Sequence, residues 1–187
     1  MLQTVLRQVG RALRPIRPGL GKLAGSSARA GVSLVVRSAS FSGVMPPRLS
    51  VDGDGLSPAL SWTGLPGSTR AVVLLVQDAD VPAPRPFTQL VLYGPATLDH
   101  LSEGEVPSRI RGASPQGWRC GRNGVGLTGW LAPAPLRGHG AHRYAFQVFA
   151  LDFAPRFAVT PGRGAMVRAM AGHIVGFGQV IGTYERR

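Results

Sequence analysis

The sequence has few of the groups that build cross-links, metal clusters or membrane spans. Its only cysteine is Cys120, which excludes an intrachain disulfide and a cysteine metal cluster. No apolar run approaches the roughly 18 residues that a membrane-spanning helix requires, and a secretory signal is not expected because a continuous apolar segment is missing. Motifs for a nucleotide cofactor or a zinc ion are not found either. We therefore expect one cytoplasmic domain without a cofactor or a bound metal.

Acidic residues are also scarce, and they are unevenly distributed. The chain carries 21 basic and 9 acidic side chains, for a formal net charge of +12, and the first acidic residue is Asp52. Seven of the basic residues lie in the first 37 positions. The basic charge is therefore concentrated near the N-terminus. Charge of this sign favours contact with anions of many kinds, but it says little about the fold.

The first 31 residues, here called the N-terminal arm, begin with an amphipathic helical pattern. Apolar residues recur every three or four positions on one face, while arginines occupy the opposite face. Pro15 should end the helix at about Arg14, and a flexible linker rich in Gly, Ser and Ala should follow from residue 19 to 31. The apolar stripe consists of Leu2, Val5, Leu6, Val9, Leu13 and Ile16.

Three interpretations of this arm remain open. The stripe can pack on its own domain or in a homodimer, which is the ordinary use of an amphipathic helix. Residues 1–16 can instead lie on an anionic membrane surface. An Arg-rich start without acidic residues is also typical of a peptide that targets a protein to an organelle.

The remainder, residues 32–187, reads as a β-rich domain. The 26 glycines and 16 prolines favour many turns and short strands. Residues 71–76 are continuously apolar, which is typical of a strand buried on both faces. Further strands are predicted at 32–40, 60–62, 89–93, 144–151 and 179–184, and a short late helix at 164–174. We expect a mainly β, antiparallel sandwich with that one helix.

Two polar stretches stand at the ends of predicted strands. Asp78 and Asp80 close the apolar run in the sequence Asp-Ala-Asp-Val-Pro, which ends at Pro82. Residues 138–144, Gly-His-Gly-Ala-His-Arg-Tyr, form a glycine-rich turn that leads directly into the strand at 144–151. Glycine lets the backbone approach a ligand closely and adopt positive φ. We expect His142 to stand at the mouth of this strand.

These stretches resemble the two signatures of the phosphatidylethanolamine-binding proteins, also called Raf-kinase-inhibitor-like proteins. Residues 78–82 are similar to the Asp-Pro-Asp-x-Pro signature, and residues 132–144 to the Gly-Pro-x-Pro-Pro and Gly-x-His-Arg-Tyr signature. Residues 57–62 and the ending at 182–186 match as well, in the manner of the compact bacterial branch. The resemblance covers the chain from about residue 41 onward, and it implies a Greek-key β-sandwich.

The resemblance also implies a small pocket for phosphate, acetate or a phosphorylated head group. An aspartate can orient an imidazole and favour its charged form, and a partly buried imidazolium can hold an anion by a charge-assisted hydrogen bond. Asp80, Pro82 and Arg143 are expected to give structural support. The expected ligand-binding residues are Asp78, Gln89, Pro133, Pro135, Gly138, His142 and Tyr144.

This chain departs from the family pattern at the pocket. Gln89 stands where the family has a second pocket histidine, and glutamine cannot become a cation. Ala132 replaces a glycine and Leu136 a proline of the second signature. Of the other histidines, His139 is expected at the rim of the loop, and His173 in the core or at an interface.

The expected function is that of a non-enzymatic module that binds a small anion or a phospholipid head group. The family resemblance adds a kinase or protease as a regulated partner. One alternative is a hydrolase that uses His142, although no Gly-x-Ser-x-Gly or His-Glu-x-x-His motif supports it. Another is a basic protein that binds nucleic acid or a membrane surface, which would explain the charge.

Overall fold

The computed structural model describes residues 2–27, 31–110 and 117–187 of the chain. Over these residues the fold is mainly β, with two α-helices and three short 3-10 turns. The helices and strands are α1 (Leu2–Leu13), β1 (Val32–Ser33), β2 (Val35–Arg37), β3 (Leu60–Thr63), β4 (Ala71–Asp78), β5 (Phe87–Pro95), β6 (His100–Leu101), β7 (Arg119–Cys120), β8 (His142–Leu151), α2 (Arg163–Met170) and β9 (Ile174–Tyr184).

A six-stranded sheet with the order β1-β9-β8-β4-β5-β7 lies at the centre, and β2, β3 and β6 form a second sheet. Every residue of β4 is buried. Its side chains alternate between two apolar clusters: Leu74 packs in the cluster that contains Trp62 of the second sheet, and Leu75 in the cluster that contains Met166 of α2. Burial on both faces explains why this strand is continuously apolar in the sequence.

The predicted first strand, residues 32–40, is divided between the two sheets. β1 pairs in parallel with β9, with Val32 opposite Gly176, and β2 pairs antiparallel with β3 in the second sheet. A side chain at Gly176 or Gly178 would collide with Leu34. These glycines therefore let the segment between β1 and β2 pass close to β9 before the chain enters the second sheet. The mainly β class is confirmed, but the central sheet is mixed rather than antiparallel throughout. The Greek-key connectivity stays a prediction.

The part of the arm that was predicted to be a flexible linker contacts the body over most of its described length. Residues 20–22 and 24–27 form 3-10 turns, and Leu23 and Ala24 are buried. The N–H of Ala24 donates to Gln77 Oε1 (2.9 Å) and that of Gly25 to Gln147 Oε1 (2.6 Å). Two buried amides on an otherwise apolar sheet face thus bind the arm. Residues 28–30 lie outside the described part, and a domain boundary at residue 31 stays a prediction.

Helix α1 does not pack on the body through its apolar stripe. The buried residue of the helix is Gly10, which lies against the backbone of Arg137. Three members of the stripe, Val5, Val9 and Ile16, are 52%, 44% and 46% exposed. The expectation that the stripe packs on its own domain is therefore wrong for Val5, Val9 and Ile16, and the helix meets the body through a close backbone contact at Gly10.

The late helix is shorter than predicted. It begins at Arg163 and ends at Met170, because Gly172 adopts φ 80° and the chain enters β9 at Ile174. Its buried residues are Met166 and Met170. None of the helices in the described ranges is both long enough and apolar enough to cross a membrane.

Candidate ligand-binding site

Asp78 and His142 meet where two central strands begin and end. β4 ends at Asp78 and the antiparallel β8 begins at His142, with Asp78 opposite Tyr144 in the register. His142 Nδ1 lies 2.8 Å from Asp78 Oδ2, and the two residues are only 1% and 2% exposed. The prediction that these two side chains converge is confirmed by this distance. A buried pair of this kind is strongly oriented, because each group depends on the other for its hydrogen bond.

The neighbouring carboxylate, Asp80, is fully buried and holds the loop together. It accepts hydrogen bonds from the backbone N–H of Arg143 (2.9 Å) and from Nε and Nη2 of the same residue (both 2.7 Å). Arg17 of the arm lies 3.6 Å away. Burial acts to raise the pKa of Asp80, but the hydrogen bonds and charge of Arg143 outweigh it and hold that pKa below its ordinary value. These contacts join the loop after β4 to the start of β8, and the structural role of Asp80 and Arg143 stays a prediction.

His139 continues the chain of hydrogen bonds away from Asp78. His139 Nδ1 lies 2.7 Å from His142 Nε2, and His139 Nε2 lies 2.9 Å from the carbonyl oxygen of Leu13 in α1. The ring is 0% exposed, so His139 is not the rim residue that the sequence predicted. The four groups form a relay, Asp78–His142–His139–Leu13, which links the pocket to the N-terminal helix.

The partners determine where the protons lie in this relay. The Leu13 carbonyl can only accept, so His139 Nε2 carries a proton and donates it. Burial lowers the pKa of His139 against the opposing effect of this hydrogen bond, which leaves the ring neutral and its Nδ1 an acceptor. His142 Nε2 therefore donates to His139. The contact between His142 Nδ1 and Asp78 Oδ2 (2.8 Å) requires one further proton, and with that proton the pair as a whole carries no net charge.

A cavity of about 370 Å³ opens beside the Asp78–His142 pair. Its walls are mainly apolar, and the polar side chains that reach it are Asp78, Gln89 and His142. The volume falls at the small end of the range for small-molecule sites. The remaining lining residues are Val51, Val81, Pro82, Phe87, Leu131, Ala132, Ala134, Pro135 and Leu136.

The relation of this chain to known proteins agrees with the geometry. A family model described as phosphatidylethanolamine-binding protein matches residues 37–185. The chain belongs to this family. The resemblance inferred from the two signatures is thereby confirmed.

Relatives and solved structures extend the match. A UPF0098 protein of Pyrococcus abyssi is 31% identical over 171 residues, which cover 90% of this chain and 93% of the relative. A UPF0098 protein of Aquifex aeolicus is 34% identical, and the match covers 83% of this chain and 91% of that relative. A phosphatidylethanolamine-binding protein homologue of Chlamydia trachomatis has 28% identity and a TM-score of 0.71, covering 83% of this chain and 99% of its own. Escherichia coli YbcL shares the fold, with 22% identity and a TM-score of 0.74. The match covers 82% of this chain and 99% of the YbcL chain.

The family's pocket residues are not all at the cavity. Asp78, Gln89, Pro135 and His142 line it, and so does Pro82, which the sequence had assigned to structural support. Pro133, Gly138 and Tyr144 are absent from the wall. Tyr144 is 0% exposed and stacks on the His142 ring, with centroids 6.4 Å apart. Burial, together with the charge of Asp78, raises its pKa. The ligand roles of these residues stay predictions.

Gly138 contacts helix α1 instead of the cavity. Its φ is 82°, and a side chain there would collide with the backbone of Arg7. Arg14 Nε donates to the Gly138 carbonyl (2.8 Å), while Arg17 Nη1 and Nη2 donate to the carbonyls of Ala141 (2.8 Å) and His139 (2.6 Å). The arm therefore closes one side of the histidine loop. Sequence reasoning missed this contact, although the arginine and glycine spacing on the helix was visible.

Other reactive groups lie apart from this site. Burial raises the pKa of the Cys120 thiol to about 11, which makes it a poor nucleophile at neutral pH. The described parts of the chain contain no group of three or more His, Cys, Asp or Glu side chains arranged as metal ligands. A larger cavity of about 620 Å³ lies elsewhere, lined by Arg70, Arg119 and Arg156 but by no histidine or carboxylate. Volume alone therefore does not identify the site.

Proposed function

We propose that the cavity beside Asp78 and His142 binds a small molecule with an anionic group, of the phosphate or phosphorylated head-group class, without chemically converting it. One observation carries the proposal: an ionisable pair that is almost fully buried stands at the wall of a mainly apolar cavity. Buried, paired ionisable groups in clefts mark candidate functional sites. Apolar walls with a few polar groups are typical of small-molecule sites.

The polar arrangement supports an anion rather than a cation as the primary partner of His142. Both ring nitrogens of His142 have hydrogen-bonding partners, and Nε2 donates to the neutral His139. An anion that reaches this ring accepts the hydrogen bond from Nε2 in place of His139, because a charged acceptor forms a stronger hydrogen bond than a neutral nitrogen. No lysine or arginine lines the cavity. His142 Nε2 is thus the hydrogen-bond donor on which binding depends.

Binding without catalysis is favoured by the immediate surroundings of His142. The hydrogen-bonding partners of its ring are Asp78 and His139, and neither is a nucleophile of the serine or cysteine kind. A hydrolase of the serine or cysteine type would need a hydroxyl or thiol within hydrogen-bond reach of a base. Regulation of a kinase or protease remains a hypothesis that rests on family resemblance, and inhibition assays with purified partners would test it.

The experiment is calorimetric titration with inorganic phosphate. We expect His142→Ala to weaken binding by about 1.5–3 kcal/mol, the cost of a lost hydrogen bond to a charged group. The matched control is His173→Ala, because His173 is also paired with a carboxylate but is exposed and remote. Equal affinity of wild type and His142→Ala, with the variant folded, would overturn the proposal. Turnover of phosphate or acyl esters that disappears in His142→Ala would replace it with the hydrolase.

A second candidate function, binding to an anionic membrane surface, is favoured by the exposed stripe of α1. Val5, Val9 and Ile16 face solvent, and the first 37 residues of the sequence carry seven basic side chains and no acidic one. Amphipathic helices of this composition lie in the interface of anionic bilayers. We expect the double variant Val5→Ser, Val9→Ser to lose cosedimentation with anionic vesicles. Val159→Ser, an exposed valine off the helix, is the control. A stripe that instead mediates a homodimer would change the sedimentation coefficient of the protein alone.

A further inference from the structure

We propose that a second ligand site lies at the other end of the central sheet from the Asp78–His142 pair, and that it binds an anion of the polyphosphate class. The site is the cavity of about 620 Å³ lined by Arg70, Arg119 and Arg156, here called the arginine cavity. It goes beyond the proposed function, because this cavity and the one beside Asp78 and His142 share no lining residue.

The two cavities lie at opposite ends of strand β4. Ala71, the first residue of this strand, belongs to the wall of the arginine cavity, whereas Asp78 is the last residue of the strand. At about 3.3 Å per residue, the two ends of the strand are roughly 23 Å apart. A small ligand in one cavity therefore does not contact the other.

The strand register places Arg119 on the same face of the sheet as the aromatic part of the wall. Arg119 of β7 is opposite Tyr93 of β5 in an antiparallel pair, and side chains directly opposite each other share a face. The Tyr93 ring packs in the cluster that contains Met166 and meets the Phe157 ring edge-on, with centroids 5.6 Å apart. Cys120, the next residue of β7, packs against the other cluster. Arg119 therefore extends on the side of the sheet where Tyr93 and Phe157 line the cavity.

The three arginines of the cavity are accessible and have no ion-pair partner among residues 2–27, 31–110 and 117–187. All three are exposed, so none of them is buried behind the wall. The arginines that do form ion pairs in these ranges are Arg17, Arg48, Arg137, Arg143 and Arg186. The arginine cavity therefore presents three cationic groups that are left to pair with an anion from solution.

Carboxylates near the arginine cavity do not neutralise it. Its wall contains no acidic residue. The acidic residue nearest to the wall in the sequence is Asp152, two positions before Ala154, and its Oδ1 lies 2.9 Å from His173 Nδ1. A cleft lined by charges of one sign concentrates ions of the opposite sign. A bound anion would also relieve the repulsion among the three guanidinium groups.

The size and chemistry of the wall favour a ligand with several separated negative charges. A guanidinium group binds phosphate oxygens through paired N–H donors. A cavity of about 620 Å³ is in the range for drug-sized ligands and is large for a single orthophosphate ion. A linear triphosphate spreads its charge over several ångströms and can meet more than one guanidinium group. Tyr93, Pro155 and Phe157 leave an apolar wall for an uncharged substituent.

The experiment is calorimetric titration with sodium tripolyphosphate at about pH 8, where guanidinium groups are charged and ordinary imidazoles are neutral. Salt at about 0.15 M screens the attraction of distant surface charges. We expect Arg119→Gln to weaken binding at least about tenfold. Arg119→Lys keeps the charge but loses the planar fork, so it should restore only part of the affinity. The matched control is Arg37→Gln, an exposed arginine of the second sheet.

The outcomes distinguish this site from general attraction and from the other cavity. An equal loss in Arg37→Gln and Arg119→Gln would assign binding to the net charge, and no binding by wild type would also overturn the proposal. We expect Arg119→Gln to cause the same loss in a His142→Ala background, because distant sites act independently. If the loss disappears in that background, tripolyphosphate occupies the cavity beside His142 and the second site is refuted. Arg156→Gln replaces Arg119→Gln if the latter does not fold, and thermal unfolding verifies each variant.

Discussion

His139 and His142 are three residues apart, yet they play different parts because their partners differ. His142 faces the carboxylate of Asp78, whereas His139 faces the carbonyl oxygen of Leu13, which can only accept a hydrogen bond. The neutral state of His139 thus follows from its partners and from its burial. A histidine held neutral has a defined consequence for stability, because the unfolded chain can protonate where the folded chain resists protonation.

At the residue scale, this gives a prediction for the pH dependence of stability. An imidazole in the unfolded chain titrates near ~6.5, and burial lowers the pKa of His139 in the folded protein. Between the two pKa values the unfolded state binds more protons. The contribution of His139 to the free energy of unfolding is therefore complete above about pH 6.5 and is lost as pH falls toward the pKa of the folded state. Its size is about 1.4 kcal/mol for each unit by which folding lowers the pKa.

The variant His139→Gln removes the titration but keeps an amide that can donate and accept. We expect its free energy of unfolding to fall less than that of wild type between pH about 8 and about 5. Urea denaturation at both pH values measures this difference. His173→Gln is the matched control for the substitution itself, because His173 is an exposed histidine outside this relay. A steeper loss in His139→Gln than in wild type would show that the ring is charged in the folded state.

At the scale of elements, the contact between α1 and the histidine loop depends on two glycines. A side chain at Gly10 would collide with the backbone of Arg137, and one at Gly138 with that of Arg7. Backbone atoms cannot move aside as a flexible side chain can. The helix is therefore held by close approach and by arginine hydrogen bonds to loop carbonyls, while its apolar stripe stays exposed.

We expect Gly10→Ala to destabilise the docked helix, by about 1–3 kcal/mol if the clash resembles overpacking in a core. Alanine favours an isolated helix over glycine by about 1 kcal/mol, so intrinsic propensity predicts the opposite sign. Limited trypsin digestion at the α1 arginines, with urea denaturation, measures the effect. Gly21→Ala is the control, because nothing lies within 4 Å of a side chain there. Unchanged cleavage and stability in Gly10→Ala would show that the helix is not docked through this glycine.

The elements that the sequence predicted well are those whose burial leaves a pattern. β4, β5 and β8 are apolar along most of their length because both faces of the central sheet are covered. β6 and β7 are two residues long and carry no periodic signal. The division of residues 32–40 was missed because apolar alternation continues through the change of sheet at Leu34.

The candidate site divides in the same way. The pairing of Asp78 with His142 was predicted through the resemblance of two signatures. The contact of His139 with Leu13 was not, because a backbone carbonyl has no residue-type signal and the partner is 126 positions away.

At the scale of the whole molecule, polar contacts join the arm to the body. Arg17 pairs with Asp80, and Leu13 accepts from His139. Further along, the N–H groups of Ala24 and Gly25 donate to the side-chain oxygens of Gln77 in β4 and Gln147 in β8. The arm is therefore attached at two places, the histidine loop through residues 7–17 and the sheet face through residues 19–25. Composition alone suggested a helix on a flexible tether, and the two attachments predict how truncation will act.

We expect removal of residues 1–17 to leave a folded protein of reduced stability, and removal of residues 1–30 to reduce it further. The first deletion removes Leu13, the acceptor for His139 Nε2, and Arg17, which lies 3.6 Å from Asp80, while Asp80 keeps its hydrogen bonds from Arg143. The second also uncovers the sheet face beneath Leu23 and removes the backbone donors to Gln77 Oε1 and Gln147 Oε1, both in residues of 0% exposure. Gln77 Oε1 keeps the Gln147 side-chain amide at 3.2 Å, whereas Gln147 Oε1 loses its donor. A buried acceptor without a donor costs about 1–3 kcal/mol, less where water enters. The two truncated proteins should therefore differ by a few kcal/mol in the free energy of unfolding, measured by urea denaturation at one pH. Equal stabilities would mean that the turns at 20–27 contribute nothing, and that the body begins near residue 31 as the composition of the linker suggested.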